Sequence, residues 1–229
     1  MTLGTYSPTP YGMIHMDANF WHNRWQTNQT GWHERAVNPL LTTHFPSLHI
    51  PPGRRIFVPL CGKSLDLGWF LSQGYAVAGA ELSEVAITQL FAELGVEPTR
   101  SEVGKHKHFH GEKIDILVGD LFDLSRETLG PVDAVYDRAA LVALPEAMRE
   151  QYTAHLKSLT ALAPQLVIGY EYDQTVVPGP PFSVTPDELH RHYGDSYALT
   201  PLARLDVPGG LKGKCPATEH VWQLNKRHG

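Results

Sequence analysis

The amino-acid sequence predicts an α/β fold with a mostly parallel, doubly wound sheet and an antiparallel C-terminal strand, and three features of its pattern lead there. Short apolar runs bounded by turn residues alternate with helical stretches, as strand, crossover helix and next parallel strand require. The runs are continuously apolar, which suits strands covered by helices on both faces. The tail instead has two runs joined by a Gly/Pro/Lys segment, the pattern of an antiparallel hairpin at a sheet edge.

In chain order, Phe20 to His44 has helical character broken around Asn28 to Gly31, and is expected to cap a ligand crevice. Strands are expected at Arg55–Leu60, Ala76–Glu81, Ile114–Gly119, Ala134–Tyr136 and Leu166–Tyr170. Helices are expected between them at Ser64–Ser72, at Glu84–Leu94 under a Ser83 cap, and at Glu146–Leu162. Pro178-Gly179-Pro180-Pro181 is too proline-rich for a helix or a central strand. It reads as a rigid loop that is either one wall of a pocket, with Phe182 as an apolar contact, or a connector into a helix after Thr185. Ser196–Leu205 and Glu219–Leu224 form the expected hairpin.

A length of 229 residues, 42% of them hydrophobic, is enough for one sizeable core, so a single domain over 1–229 is expected. The formal charge of −5 and the scattered Lys and Arg argue against a nucleic-acid partner and for a small-molecule one. Cys61 and Cys215 have no disulfide or metal-clamp spacing, which points to a reducing compartment. No signal-like run precedes Asn19 and no later stretch approaches a membrane span, so a cytoplasmic protein is expected, with a monomer as the default.

Candidate chemistry lies at the carboxyl ends of the expected strands, where open α/β sheets bind ligands. Val58-Pro59-Leu60-Cys61-Gly62-Lys63-Ser64 is not a Walker loop, because Phe57 stands where the first glycine is needed, and a GxGxxG fingerprint is also missing. A ligand here should lack a phosphate chain. Glu81 at the second strand end either accepts hydrogen bonds from vicinal ribose hydroxyls or merely complements a helix dipole. With the first loop, the ribose reading favours S-adenosyl-L-methionine over NAD or ATP. Leu121 and Phe122 could wall an adenine slot beside Asp120, or be core. Asp137 and Arg138 either face the crevice or form a structural ion pair.

Over Phe20 to Leu224 the chain resembles the thiopurine S-methyltransferase family, most closely its bacterial members. The matching stretches are Trp21-His22-Asn23-Arg24-Trp25 with Gly31-Trp32-His33, Phe57-Val58-Pro59-Leu60-Cys61-Gly62-Lys63-Ser64, and Gly79-Ala80-Glu81-Leu82-Ser83. Phe122-Asp123-Leu124, Asp137-Arg138-Ala139-Ala140-Leu141-Val142-Ala143-Leu144 and Pro178-Gly179-Pro180-Pro181-Phe182-Ser183-Val184 follow in the family's order. The resemblance implies a Rossmann-like class I methyltransferase fold. It puts cofactor contacts at Trp21, Trp25, Leu60, Glu81, Leu121 and Arg138, Arg138 being also the candidate catalytic residue. The family's substrate-contacting Phe corresponds to Trp32. Many animal members carry Arg, His and Trp where this chain has Lys212-Gly213-Lys214-Cys215.

The implied reaction is methylation of a thiopurine-like aromatic or heterocyclic thiol, with selenium or tellurium compounds as alternative acceptors for detoxification. The faces of Trp21, Trp25 and Trp32 could meet a sulfonium charge. Two readings from other classes rank lower: a nucleotide-hydrolysing P-loop protein, and a metal binder using His106-Lys107-His108-Phe109-His110. The interleaved lysines make that run read as a solvated loop, and no metal is expected. His33-Glu34 opens a zinc-protease-like pattern, which Val37 breaks. Cys61 reads as a small buried residue rather than a nucleophile.

Overall fold

In the computed structural model, which describes residues 18–31 and 33–227, nine strands form one sheet in the order β3-β4-β5-β2-β1-β6-β7-β9-β8. β1 (Arg55–Pro59), β2 (Ala76–Glu81), β5 (Ile114–Val118), β6 (Ala134–Arg138) and β7 (Gln165–Tyr172) are parallel. The order runs outward from β1 in both directions, so the topological switch falls between β1 and β6. Register brings the strand tips level: Pro59 pairs with Ala80, Glu81 with Val118, and Arg138 with Ile168.

Both faces are covered, which explains the unbroken apolar strands. On one side Ile56, Val58 and Val77 pack with α2 (Pro39–His44), α3 (Leu65–Ser72) and α4 (Glu84–Leu94) through Leu41, Phe70, Ile87 and Leu90. Phe45, Phe70 and Tyr75 pack edge to face there, the first two with ring centroids 4.8 Å apart. On the other side Phe57, Ala78, Val135 and Val167 meet α5 (Arg126–Leu129), α6 (Glu146–Leu159) and α7 (Pro186–Tyr193) through Leu129, Tyr152, Leu156 and Leu189. Each such buried Leu or Phe stabilises the fold by about 1.5–3 kcal/mol.

Local chemistry sets the element ends. The Ser83 side chain accepts from the Ala86 amide to start α4, and Gly95 in the left-handed region ends it. α6 stops at Leu159 rather than Leu162, because Ala161 and Leu162 adopt φ of 55° and 62°. The expected break near Asn28 is present: α1 (Ala18–Gln26) ends before it, and α2 does not begin until Pro39. β8 (Tyr197–Asp206) and β9 (Ala217–Lys226) form the expected edge hairpin, with a register shift between Pro201 and Ala203. Pro201 is tolerated because β8 is an edge strand.

One expectation is overturned. His106–Gly111 is strand β4, not a solvated loop; it is antiparallel to β5 and to β3 (Thr99–Val103). The lysines that suggested a loop reach solvent from an edge hairpin, while Phe109 of the same strand is 1% exposed in the core.

Candidate active site

The first wall of the site is the turn after β1. Leu60 takes a φ of 46°, a conformation few non-glycine residues hold without support from their surroundings. Gly62 at φ 51° has a second reason to be glycine: a Cβ there would lie 3.0 Å from the Trp25 ring of α1. The turn thus seats an N-terminal tryptophan, itself 4% exposed, against the tip of β1. Ser64 then starts α3, its hydroxyl accepting from the Asp66 amide at 3.2 Å.

Glu81 at the end of β2 is bound into that turn. Its Oε2 accepts from the Gly62 amide at 2.8 Å and its Oε1 from the Ser83 amide at 2.9 Å. Burial raises its carboxyl pKa, and the amides of Ser83, Gly62 and Leu82 partly offset this by favouring the charged form. The carboxylate keeps acceptor capacity for an outside donor.

After β5 the chain makes a tight turn in which Asp120 Oδ1 accepts from the Phe122 amide at 2.9 Å. Leu121 is buried, and its carbonyl is 2.9 Å from His155 Nε2 of α6. The tip of β6 sends consecutive side chains to opposite faces. Asp137 points into the helical layer, accepting from Tyr152 Oη at 2.7 Å and the Leu141 amide at 3.1 Å. Its burial pushes the carboxyl pKa to about 6 against those hydrogen bonds. Arg138 points into the crevice and pairs with Glu34 of the N-terminal segment. Asp137 and Arg138 are therefore not partners of each other. Ala139 follows at φ 65°, a second non-glycine residue held left-handed at the rim.

Asp66 fastens the N-terminal segment to the sheet: Oδ1 accepts from the Asn38 amide at 2.9 Å and Oδ2 from Tyr136 Oη at 3.0 Å. Asp66 and Asn38 are both buried, so the tie is shielded from water.

These parts enclose a cavity of about 550 Å³, within the range of small-molecule sites. Trp21, Trp25, Leu60, Glu81, Leu121 and Arg138 all line it. Trp32 lies outside the described residues. Asp120 and Phe122 are on the wall as well, whereas Phe182 is not among the lining residues. Phe182 is 7% exposed and packs over Gly179, so Pro180 and Pro181 supply the wall instead. Lys212 lines the cavity and donates to the Pro180 carbonyl at 2.7 Å; Lys214 does not line it. Cys61 faces the cavity with its thiol pKa raised by burial and by the Glu81 charge, which suits a packing role.

Among the lining residues that the sequence did not point to are Glu34, Tyr170 and Glu219. Tyr170 and Glu219 stand directly opposite on β7 and β9, and their side chains are hydrogen-bonded. Burial raises the Glu219 carboxyl pKa, with the Tyr170 bond and the Arg138 charge pulling it back. The signal available was strand alternation: Ile168, Tyr170 and the residue across from Tyr170 share one face near the carboxyl end.

A switch-point cavity on this strand order, with an acidic residue at the tip of β2, defines a Rossmann-like methyltransferase fold. The same fold is found in a Burkholderia thailandensis 1,6-didemethyltoxoflavin-N1-methyltransferase solved with S-adenosylhomocysteine. That structure is 16% identical, with a TM-score of 0.63 over 96% of this chain and 93% of that one. TehB from Haemophilus influenzae shares it at 12% identity and a TM-score of 0.58, over 86% and 64%. The family model for thiopurine S-methyltransferase matches residues 16–227. The chain belongs to that family. A thiopurine S-methyltransferase of Xanthobacter autotrophicus is 54% identical over 92% of this chain and all of its own length. That of Teredinibacter turnerae is 51% identical over 92% and 98%.

Proposed function

We propose that this chain transfers the methyl group of S-adenosyl-L-methionine to the sulfur of a thiopurine-like aromatic or heterocyclic thiol, working as a single domain whose segment up to His44 covers the cofactor. The observation that carries the reading is Glu81: a buried carboxylate fixed by two backbone amides, with acceptor capacity left over, in the cavity that also holds Trp21, Trp25 and Arg138. Two adjacent oxygens suit two vicinal ribose hydroxyls. Leu121 and Phe122 offer an apolar slot for an adenine, and the turn after β1 lacks the glycine pattern of a phosphate loop.

When bound, S-adenosyl-L-methionine supplies a methyl already activated on a sulfonium, so this chain has little acid or base work to do. Its residues position and exclude water. The ring faces of Trp21 and Trp25 suit a neighbouring positive charge. Arg138 is the candidate catalytic group, its guanidinium favouring an anionic sulfur over a neutral one without donating a proton. Glu34 holds Arg138 in its absence, so an incoming thiolate competes with a half-exposed carboxylate. The walls at Tyr170, Pro180 and Pro181 suit a flat ring.

Titration calorimetry with S-adenosyl-L-methionine tests the cofactor; absence of both heat and thermal protection overturns the reading. Mass analysis of products from a panel of aromatic thiols, selenols and tellurium species tests the acceptor. Transfer to heteroaromatic thiols is expected to lead, and transfer confined to the selenium and tellurium compounds would reassign it.

A further inference from the structure

The β4–β5 pair, next to the sheet edge, carries a second group of chemistry-bearing side chains away from the cavity. Residues two apart on a strand share a face, so His108 and His110 project together while Lys107 and Phe109 point the other way. The register sets His110 directly across from Asp115 of β5. His110 Nδ1 lies 2.7 Å and His108 Nε2 2.9 Å from the same oxygen, Asp115 Oδ1. One ligand atom from each residue falls within 4.8 Å of the others. None of the three lines the cavity.

We propose that His108, His110 and Asp115 form a binding site for a divalent zinc-type transition metal. Two imidazoles and a carboxylate are the ligand set such ions take, with the remaining position left for water. Bonds of about 2.0–2.2 Å in tetrahedral array place ligand atoms roughly 3.3 Å apart. The carboxylate–imidazole distances here need to open by only about half an ångström to meet that spacing. Side-chain exposures of 24% for His108, 56% for His110 and 26% for Asp115 leave a path for the ion.

The surroundings prepare the carboxylate. Arg55 Nη2 holds Asp115 Oδ2 at 3.2 Å, and Arg55 is itself fixed by the Leu129 carbonyl at 2.5 Å, so Oδ1 is left facing the imidazoles. The Arg55 guanidinium repels a cation and so weakens the affinity. Occupancy would add a link between β4 and β5 to the ladder hydrogen bonds and the core packing of Phe109.

The test is zinc titration of the full chain by calorimetry in a non-chelating buffer, with cobalt absorption as a reporter of ligand geometry. One ion per chain is expected, with thermal stability rising by mass action. His110→Asn and His108→Ala should each weaken binding by more than the roughly tenfold that losing an outer-shell partner causes. His110 is half exposed, so its variant keeps the test open should the His108 variant not fold. Lys107→Ala, on the opposite face, should bind as the parent does. No saturable binding, or an affinity in both histidine variants equal to the parent's, overturns the proposal.

Discussion

The rim formed by the parallel strand tips and the β3–β4 edge use ionisable groups in opposite ways. At the rim, Glu81 and Asp137 are buried and held by backbone amides or a tyrosine hydroxyl, and Leu60 and Ala139 sit in a strained backbone region beside them. At the edge, Lys107, Lys105 and His110 meet carboxylates in contact with water. A buried group left without its partner is penalised in full, whereas an exposed one falls back on water. The rim is therefore fixed by its neighbours, and the edge is free to change partners or take up an ion.

The largest effect should come from the support beneath the rim. Arg149 of α6 donates to Glu188 of α7 at 2.6 and 3.1 Å and to the Leu144 carbonyl at 2.9 Å, with side-chain exposures of 3% and 8%. Arg149→Ala leaves the buried Glu188 carboxylate with His192 Nε2, at 3.2 Å, in place of the guanidinium and should destabilise by about 3–5 kcal/mol. The melting temperature should then fall by on the order of 10 °C. Loss of only a degree or two would show that the rim rests on packing alone.

Next comes the pH dependence of Asp137. Its folded pKa of about 6 lies above the ordinary 3.8, so the folded state binds the extra proton. Its contribution to stability is complete below the unfolded pKa and is lost as pH rises from about 4 through 6, by about 3 kcal/mol at 1.36 kcal/mol per pK unit. Asp137→Asn should flatten that part of the stability profile in urea unfolding. An unchanged slope would mean that Tyr152 and the Leu141 amide hold the group ionised in the fold.

Glu81→Gln sharpens the comparison from the ligand side. Glu81→Ala is a blunt probe, because the Gly62 and Ser83 amides would lose their acceptor along with any ribose. The amide side chain keeps one carbonyl oxygen and removes one acceptor and the charge. Affinity for S-adenosyl-L-methionine should fall by about 1.5–3 kcal/mol, the usual loss for a hydrogen bond to a charged group. The melting temperature should move far less than in Arg149→Ala. Undiminished affinity would remove the ribose role.

The same contrast explains what was legible in the sequence. β2 and α4 match their expected bounds because buried parallel strands and capped helices leave unambiguous marks: an unbroken apolar run, and Ser83 before a helical pattern. The convergence of Leu60, Glu81, Leu121 and Arg138 was readable because topology puts strand tips together and the family resemblance picks out these residues on them. The β3–β4 hairpin was not, since Thr99–Val103 is a polar edge strand and His106–Gly111 beside it interleaves histidines and a lysine with its few buried residues, a pattern that imitates a loop. Glu34 and Glu219 escaped for another reason. Their role depends on which distant residue they face, Arg138 and Tyr170; alternation gives the face of Glu219, but neither local sequence records the partner.

The smallest effect belongs to the edge itself. Lys107 Nζ meets Glu84 Oε2 at 2.6 Å with side chains 55% and 43% exposed. Such a pair gains little over hydration and is screened by salt, so Lys107→Ala should change stability by only about 0.2–1 kcal/mol. That difference should shrink further at high ionic strength. The Glu84 carboxylate sits in the first turn of α4, where the helix dipole still favours it once the lysine is gone. A larger, salt-insensitive loss in the variant would mean that β4 is anchored to α4 as firmly as the rim residues are to their partners, and the two regions would no longer differ in kind.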